Sequence, residues 1–367
     1  MTISSFILVS LYIILIVLNY KGYTDNKVST FLTIVTVSLS TFMLFSANSA
    51  DLDWSETKLD MSGYRTIYEQ YDVLEHEDFN MYYMFYGSMY LGQSFGLPFR
   101  TWWMVMSILA MGVIFIATRI HKFSFNLFLA TFMAYHEIVF YSGFKFFYGF
   151  CFLLLAYGFL FWRNRKGQLL FALFTCMAGG FHMMYYFFLV FLIKPLKRPK
   201  RFVGVIVTIT IILTVIMQLS GSAKAFLMPF FDTLDNEHIN RYTAYEINAG
   251  FYIAVLIHLV VVYIVYRIRK YKITKGFYKR DAEALYYTVL ISLLFCPFYS
   301  VALTFMRLIT SFSLVVITAS SRILKESYQS RSLCTNMSLL FVAASYLMRL
   351  VIGGFIQTSI IPYFDVF

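Results

Sequence analysis

The chain has 367 residues, of which 60% are hydrophobic, 20% aromatic and only 13% charged, with a net charge of +11. A water-soluble globule of this composition would have to expose its apolar excess, and disordered, collagen-like and nucleic-acid-binding chains are excluded by the same figures. Apolar runs of roughly 17–22 residues between short charged patches predict a polytopic all-α membrane protein rather than an outer-membrane barrel.

The first apolar run, 3–20, follows Met1 without a charged leader or a small-residue cleavage motif, so it reads as a span and not as a signal peptide. A second run covers 28–49. Residues 50–100 follow as a long acidic stretch, with Asp51, Asp53, Glu56, Asp60, Glu69, Asp72, Glu75, Glu77 and Asp78 against Lys58, Arg65 and Arg100. Further spans are predicted at 101–118, 123–141, 144–162 and 202–219. A second acidic stretch, 220–249, comes next, and spans at 250–266, 283–303, 304–320 and 332–350 complete the chain.

Basic residues gather between these runs, at Lys21/Lys27, Arg119/Lys122, Arg163/Arg165/Lys166, Lys194 to Arg201, Arg267 to Arg280 and Arg322/Lys325/Arg331. The positive-inside rule makes all six clusters cytoplasmic and the two acidic stretches extracytoplasmic loops. A basic rim beside anionic lipid needs no nucleic acid to explain it. The whole chain, 1–367, then reads as a single integral membrane domain of about 12 crossings with both termini outside.

That count depends on 169–193, which lies between two basic clusters and must cross an even number of times. Gly179-Gly180-Phe181-His182 sits in its middle. The segment is expected to form two short helices, 169–181 and 183–193, turning near His182. The alternative is one tilted span with a different topology downstream. Non-helical backbone at that depth requires a protein-lined cavity.

Cys151, Cys176, Cys296 and Cys334 lie within apolar runs with no CxxC spacing and read as small buried hydrophobes. Eight basic residues stand apart from the cytoplasmic clusters: Lys58, Arg65, Arg100, Lys145, Lys224, Arg241, Arg307 and Arg349. Lys145, Arg307 and Arg349 flank or enter apolar runs. Each either faces a polar cavity or snorkels to the headgroups. His136-Glu137, His182, Asp60 and His238 fall on the outer side of this threading. His258, inside a span, is expected to be a core histidine bonded to a neighbouring helix, and His121 a headgroup contact at the cytoplasmic surface. No P-loop, GxGxxG, GxSxG or HExxH motif occurs.

Basic groups on the outer side of a membrane funnel suit a lipid-linked phosphate or pyrophosphate, because Arg and Lys pair with its oxygens and stabilise the charge of a leaving group. The loop tyrosines Tyr64, Tyr68, Tyr71, Tyr82, Tyr83, Tyr86 and Tyr90 either stack on sugars or form an interfacial aromatic belt. Arg307 and Arg241, aided by Lys145, are the expected phosphate ligands. His182 is expected to act as the general base on an acceptor hydroxyl, with Glu137 and Asp60 as the other candidates; a purely structural role capping the hairpin is its alternative.

Several short motifs carry a family likeness. Asp60-Met-Ser-Gly-Tyr64-Arg-Thr-Ile-Tyr68 is similar to an Asp-x3-Tyr-x3-aromatic opening of the first outer loop. Gly143-Phe-Lys145-Phe-Phe-Tyr-Gly-Phe resembles an (Ile/Leu)-Arg-Gln-x-(Ile/Leu)-Ala segment, with Lys145 at the Arg position and Phe146 at the Gln. Phe181-His182, Arg241-Tyr242-x2-Tyr245 and Phe305-Met-Arg307-Leu match later elements of the same pattern. The sequence resembles the EpsG-type family of Wzy-like polysaccharide polymerases along nearly its whole length.

That resemblance implies a membrane glycosyltransferase of GT-C-like architecture in the bacterial cytoplasmic (inner) membrane, working at its extracytoplasmic face. The donor would be a polyprenyl-pyrophosphate oligosaccharide, such as one on undecaprenyl pyrophosphate, and the acceptor the non-reducing end of a second lipid-linked repeat. The product would be exopolysaccharide, capsule or O-antigen. His136, Glu137, Asp60, Tyr64, Tyr242 and Lys145 would bind substrate, and His182, Arg307 and Arg241 would be catalytic. No nucleotide sugar, metal or other cofactor is expected. Partners would include a chain-length regulator and a flippase. A flippase for the same lipid and a ligase of the same fold are the competing functions. An O-acetyltransferase would need a cytoplasmic His/Arg site, and a purely structural subunit would not need large charged outer loops.

Overall fold

The computed structural model describes residues 60–70, 72–76, 78–135, 143–193, 199–219, 249–275, 279–300 and 305–324, with isolated positions between 14 and 38. The spans at 3–20 and 332–350, the loop 220–248 and Cys334 lie outside the described residues. Everything regular among the described residues is helical, as the composition predicts. The chain divides into two compact units: Phe187–Val316 forms one, and the segments before and after it form the other.

The first unit contains α1 (Asp60–Gln70), α2 (Tyr83–Ser94), α3 (Phe99–His121), α4 (Phe125–Tyr135), α5 (Phe144–Phe159, prolonged by a 3-10 turn at Leu160–Trp162) and α6 (Arg165–Phe181). The acidic stretch expected as an outer loop is therefore largely helical where described. It is tied down by Tyr68, whose hydroxyl donates to the Leu97 carbonyl at 2.8 Å, and by Trp102, whose indole N–H donates to the Ser88 carbonyl at 2.8 Å.

α5 is apolar all round, and nearly every side chain in it is buried. Such a helix can only be the centre of its unit; α3 and α6 pack along it. α3 has two kinds of face. Trp102, Trp103, Ala110, Ile114 and Ala117 are buried, while Ile108, Leu109, Phe115, Ile116 and Ile120 are exposed although apolar. A large exposed apolar stripe on a helix is a surface for lipid. Phe99–His121, Phe144–Trp162 and Lys279–Tyr299 are long and apolar enough to cross a membrane among the described residues. Together they make the chain a multi-pass membrane protein.

Two tight reversals carry the predicted basic clusters. Lys122, in the left-handed region at φ 58°, ends α3 and leads into α4. Arg163, at φ 53°, leads into α6, where the Asn164 side chain accepts the Gly167 N–H at 2.6 Å. An asparagine cap and a left-handed residue give a helix-to-helix turn with little wasted chain.

His121 sits between these turns and is not a headgroup contact. It is fully buried, its Nε2–H donates to the Leu155 carbonyl at 3.0 Å, and its ring lies edge-on to Phe159. Gly158 makes this possible, since a Cβ there would occupy the imidazole's own space. Arg322 joins the same end: it donates to the His121 carbonyl at 3.2 Å and lies 5.3 Å over Phe161.

The helix break expected at His182 is present. α6 stops at Phe181, His182 is extended (φ −152°, ψ 115°), and a 3-10 helix covers Met183–Leu192. Gly179 and Gly180 stay helical and provide close approach, because the Tyr186 ring packs on the first and Tyr83 with Met84 on the second.

The second unit contains α7 (Pro199–Leu219), α8 (Ala249–Lys275) and α9 (Lys279–Ile291), continued by a 3-10 segment at Ser292–Ser300 that contains Pro297. Most of α10 (Met306–Leu324) belongs to it as well. Its core is aromatic, with Phe191 and Phe295 each in ring contact with Phe188 and Phe312. His258 is the buried core histidine expected from the sequence: Nδ1 lies 2.8 Å from the Tyr299 hydroxyl and Nε2 2.8 Å from Ser292 Oγ. α8 runs on through the basic cluster, and Arg269 pairs with Glu283 at 2.9 Å.

Candidate functional site

At the end of the first unit away from the basic turns, four helices come together. α5 begins there with Phe144 and Lys145, and α6 ends there beside His182; α1 meets α5 through the Tyr64–Phe144 ring contact, and α2 packs on α6. One length of α5, about 24 Å of rise, separates this end from His121.

Tyr82, the residue before α2, is the hub. The Lys145 ammonium lies 3.6 Å from its ring centre, and the His182 ring is 5.8 Å away. Tyr64 and Phe85 stand 5.7 and 5.8 Å from the same ammonium. Phe146 meets His182 edge-on at 5.0 Å. Of the residues singled out in the sequence, the structure thus brings together Tyr64, Lys145 and His182. Asp60 opens α1 one turn before Tyr64, so the Asp-x3-Tyr-x3-Tyr pattern is one face of a helix. Arg307 is half-buried in the first turn of α10, in the second unit. His136, Glu137, Arg241 and Tyr242 lie outside the described residues.

The site also corrects the expectation for the loop tyrosines. Tyr68 and Tyr86 are buried, so neither offers a face to a sugar. Tyr68 stacks on Trp102 at 5.3 Å, and burial raises the pKa of its hydroxyl, which stays a neutral hydrogen-bond donor. Tyr86 stacks on His76 at 4.6 Å. Tyr83 and Tyr90 remain exposed.

His182 is buried, and its Nδ1 accepts the Met184 backbone N–H at 3.4 Å. A neutral imidazole that accepts at Nδ1 carries its proton on Nε2. In that state it is a hydrogen-bond donor through Nε2. His76 repeats the arrangement, accepting the Asp78 N–H at Nδ1 at 3.2 Å.

Sequence reasoning missed Phe85, His76, the contact of Phe146 with His182 and the central place of Tyr82. Tyr82, Phe85 and Tyr86 are spaced three and four apart at a helix start, which puts them on one face. That spacing was the available signal.

Over residues 49–364 the sequence matches the EpsG family. The chain belongs to the EpsG family. The matched stretch includes Tyr64, Tyr82, Lys145, His182, Arg241 and Arg307. No curated protein and no solved structure matches the chain. EpsG membership, with the apolar helices, supports a polysaccharide polymerase at the level of the family, acting on lipid-linked oligosaccharide in a membrane.

Proposed function

We propose that this EpsG protein polymerises polyprenyl-pyrophosphate-linked oligosaccharide repeats at the extracytoplasmic face of the bacterial cytoplasmic membrane, within a GT-C-like body of about 12 crossings. The observation that carries the reading is the gathering of Lys145, Tyr64 and His182 around Tyr82, at the end of the unit opposite the basic turns. The positive-inside rule assigns that end to the outer face.

In the reaction, an acceptor hydroxyl oxygen bonds to the donor's anomeric carbon. The bond from that carbon to the pyrophosphate oxygen breaks, and polyprenyl pyrophosphate leaves with the bonding electrons. Lys145 stabilises the negative charge that develops on the leaving group. Arg307 and Arg241 join it on the sequence argument, as cations set apart from the cytoplasmic clusters. His182 enters as an N–H donor through Nε2 rather than as the base, since its Nδ1 lone pair is engaged by Met184. The acceptor's proton then goes to a carboxylate. Asp60, on the same helix face as Tyr64, is our choice over Glu137. His136 and Tyr242 complete the substrate contacts.

The test is deletion of the gene in its own cell, followed by sizing of the glycan. Loss of long chains with single repeats retained is the expected result. Lipid-linked repeats trapped on the cytoplasmic leaflet would identify a flippase instead. Normal polymer left unattached to its final acceptor would identify a ligase.

A further inference from the structure

The Lys145 side chain ends among three aromatic rings from two stretches of chain, α1 and the start of α2: Tyr82 at 3.6 Å, Tyr64 at 5.7 Å and Phe85 at 5.8 Å from ring centre to ammonium. The rings are braced. Tyr64 is edge-on to Phe144 at 4.7 Å and to Phe85 at 5.1 Å, and Phe85, itself fully buried, meets Trp102 at 6.0 Å. Ring faces attract an ammonium through their quadrupole without neutralising it, so the formal charge of the site is unchanged by their presence. Preorganised charge of this kind loses little on meeting an anion, because nothing has to reorient.

We propose that Tyr82, Tyr64 and Phe85 form a cage whose function is to aim the Lys145 ammonium at a phosphate group of the lipid-linked substrate, with Tyr82 as the principal positioning residue. The inference rests on the reading that Lys145 binds that phosphate. It gives Tyr64 a different role from sugar stacking: its ring is a wall of the cage. It also accounts for the three aromatic rings of α1 and the start of α2 that gather round a cation.

The test uses the full chain in lipid nanodiscs with sugar-free polyprenyl pyrophosphate as the probe. Tyr82→Phe keeps the ring face and should bind the probe within about twofold of the native protein. Tyr82→Leu should weaken binding about three- to thirtyfold, the range of a partly to fully desolvated cation–π contact. Leucine at this position risks misfolding. A series of mono-, di- and trifluorinated phenylalanines at position 82 therefore keeps the shape while draining charge from the ring face. Affinity should fall stepwise with fluorine count at constant thermal stability, and the steps should vanish in the Lys145→Met background. A flat fluorine series, with Lys145→Met still weakening the probe, would overturn the cage and leave the phosphate reading intact. Unchanged probe binding in Lys145→Met itself would overturn both.

Discussion

The Lys145 ammonium rests 3.6 Å from the centre of the Tyr82 ring, and the same ring lies 5.8 Å from that of His182. A single tyrosine therefore touches both the cation and the histidine that the sequence singled out. Lys145 comes from the first turn of α5 and His182 from the break after α6, so their meeting is a consequence of how those two helices pack.

Replacing Lys145 by Met should lower polymer formation about a hundredfold at unchanged protein level, the usual cost of removing one donor to developing charge. Lys145→Arg should recover part of it, because the planar guanidinium keeps the charge but does not fit the position of a compact ammonium. Glycan sizing and immunoblotting of the membrane fraction measure the two quantities separately. Full-length polymer from Lys145→Met would remove Lys145 from the chemistry.

His182→Gln and His182→Ala should behave differently. Glutamine supplies an N–H group near the place of Nε2 but cannot accept a proton. With Nδ1 already engaged by Met184, the donor role predicts that Gln retains turnover within about tenfold and Ala loses about a hundredfold. Equal, severe loss in both variants would return His182 to the role of base.

Sidedness can be read by cysteine labelling of intact cells. A cysteine at Ser94, exposed at the end of α2, should react with an impermeant maleimide. One at Arg163, in the turn before α6, should react only after permeabilisation. The reverse pattern would invert the threading.

His258→Leu should destabilise the fold by about 1–3 kcal/mol, because the buried Tyr299 hydroxyl loses its 2.8 Å partner. Thermal melting in detergent measures this. Activity per folded molecule should be unchanged at permissive temperature.

The parts of the fold legible in the sequence were those set by local chemistry. The Arg119/Lys122 and Arg163/Arg165/Lys166 clusters mark turns, and His182 marks a break, because charge and helix termination act over a few residues. His258 was legible because a lone histidine in an apolar span must find partners on a neighbouring helix. Contacts between distant segments were not. Nothing near Tyr82 announces Lys145, and nothing near His121 announces that Gly158 leaves a space for its ring. The glycine pair Gly179-Gly180 is visible in the sequence as a local feature. Its use here, as a seat for Tyr186 and Tyr83, appears only once the packing is known.

The seat that Gly158 makes for His121 has a consequence for genetics. One methyl group there would collide with the buried imidazole of a residue whose backbone carbonyl also holds Arg322, a full helix length from Lys145. Overpacking of that kind costs about 1–3 kcal/mol, enough to deplete a membrane protein through quality control. A mutant hunt scored only by colony polysaccharide would therefore rank Gly158→Ala alongside Lys145→Met. Measuring how much protein each strain accumulates separates the two: the alanine strain should lack the enzyme, and the methionine strain should hold a full complement of an inactive one.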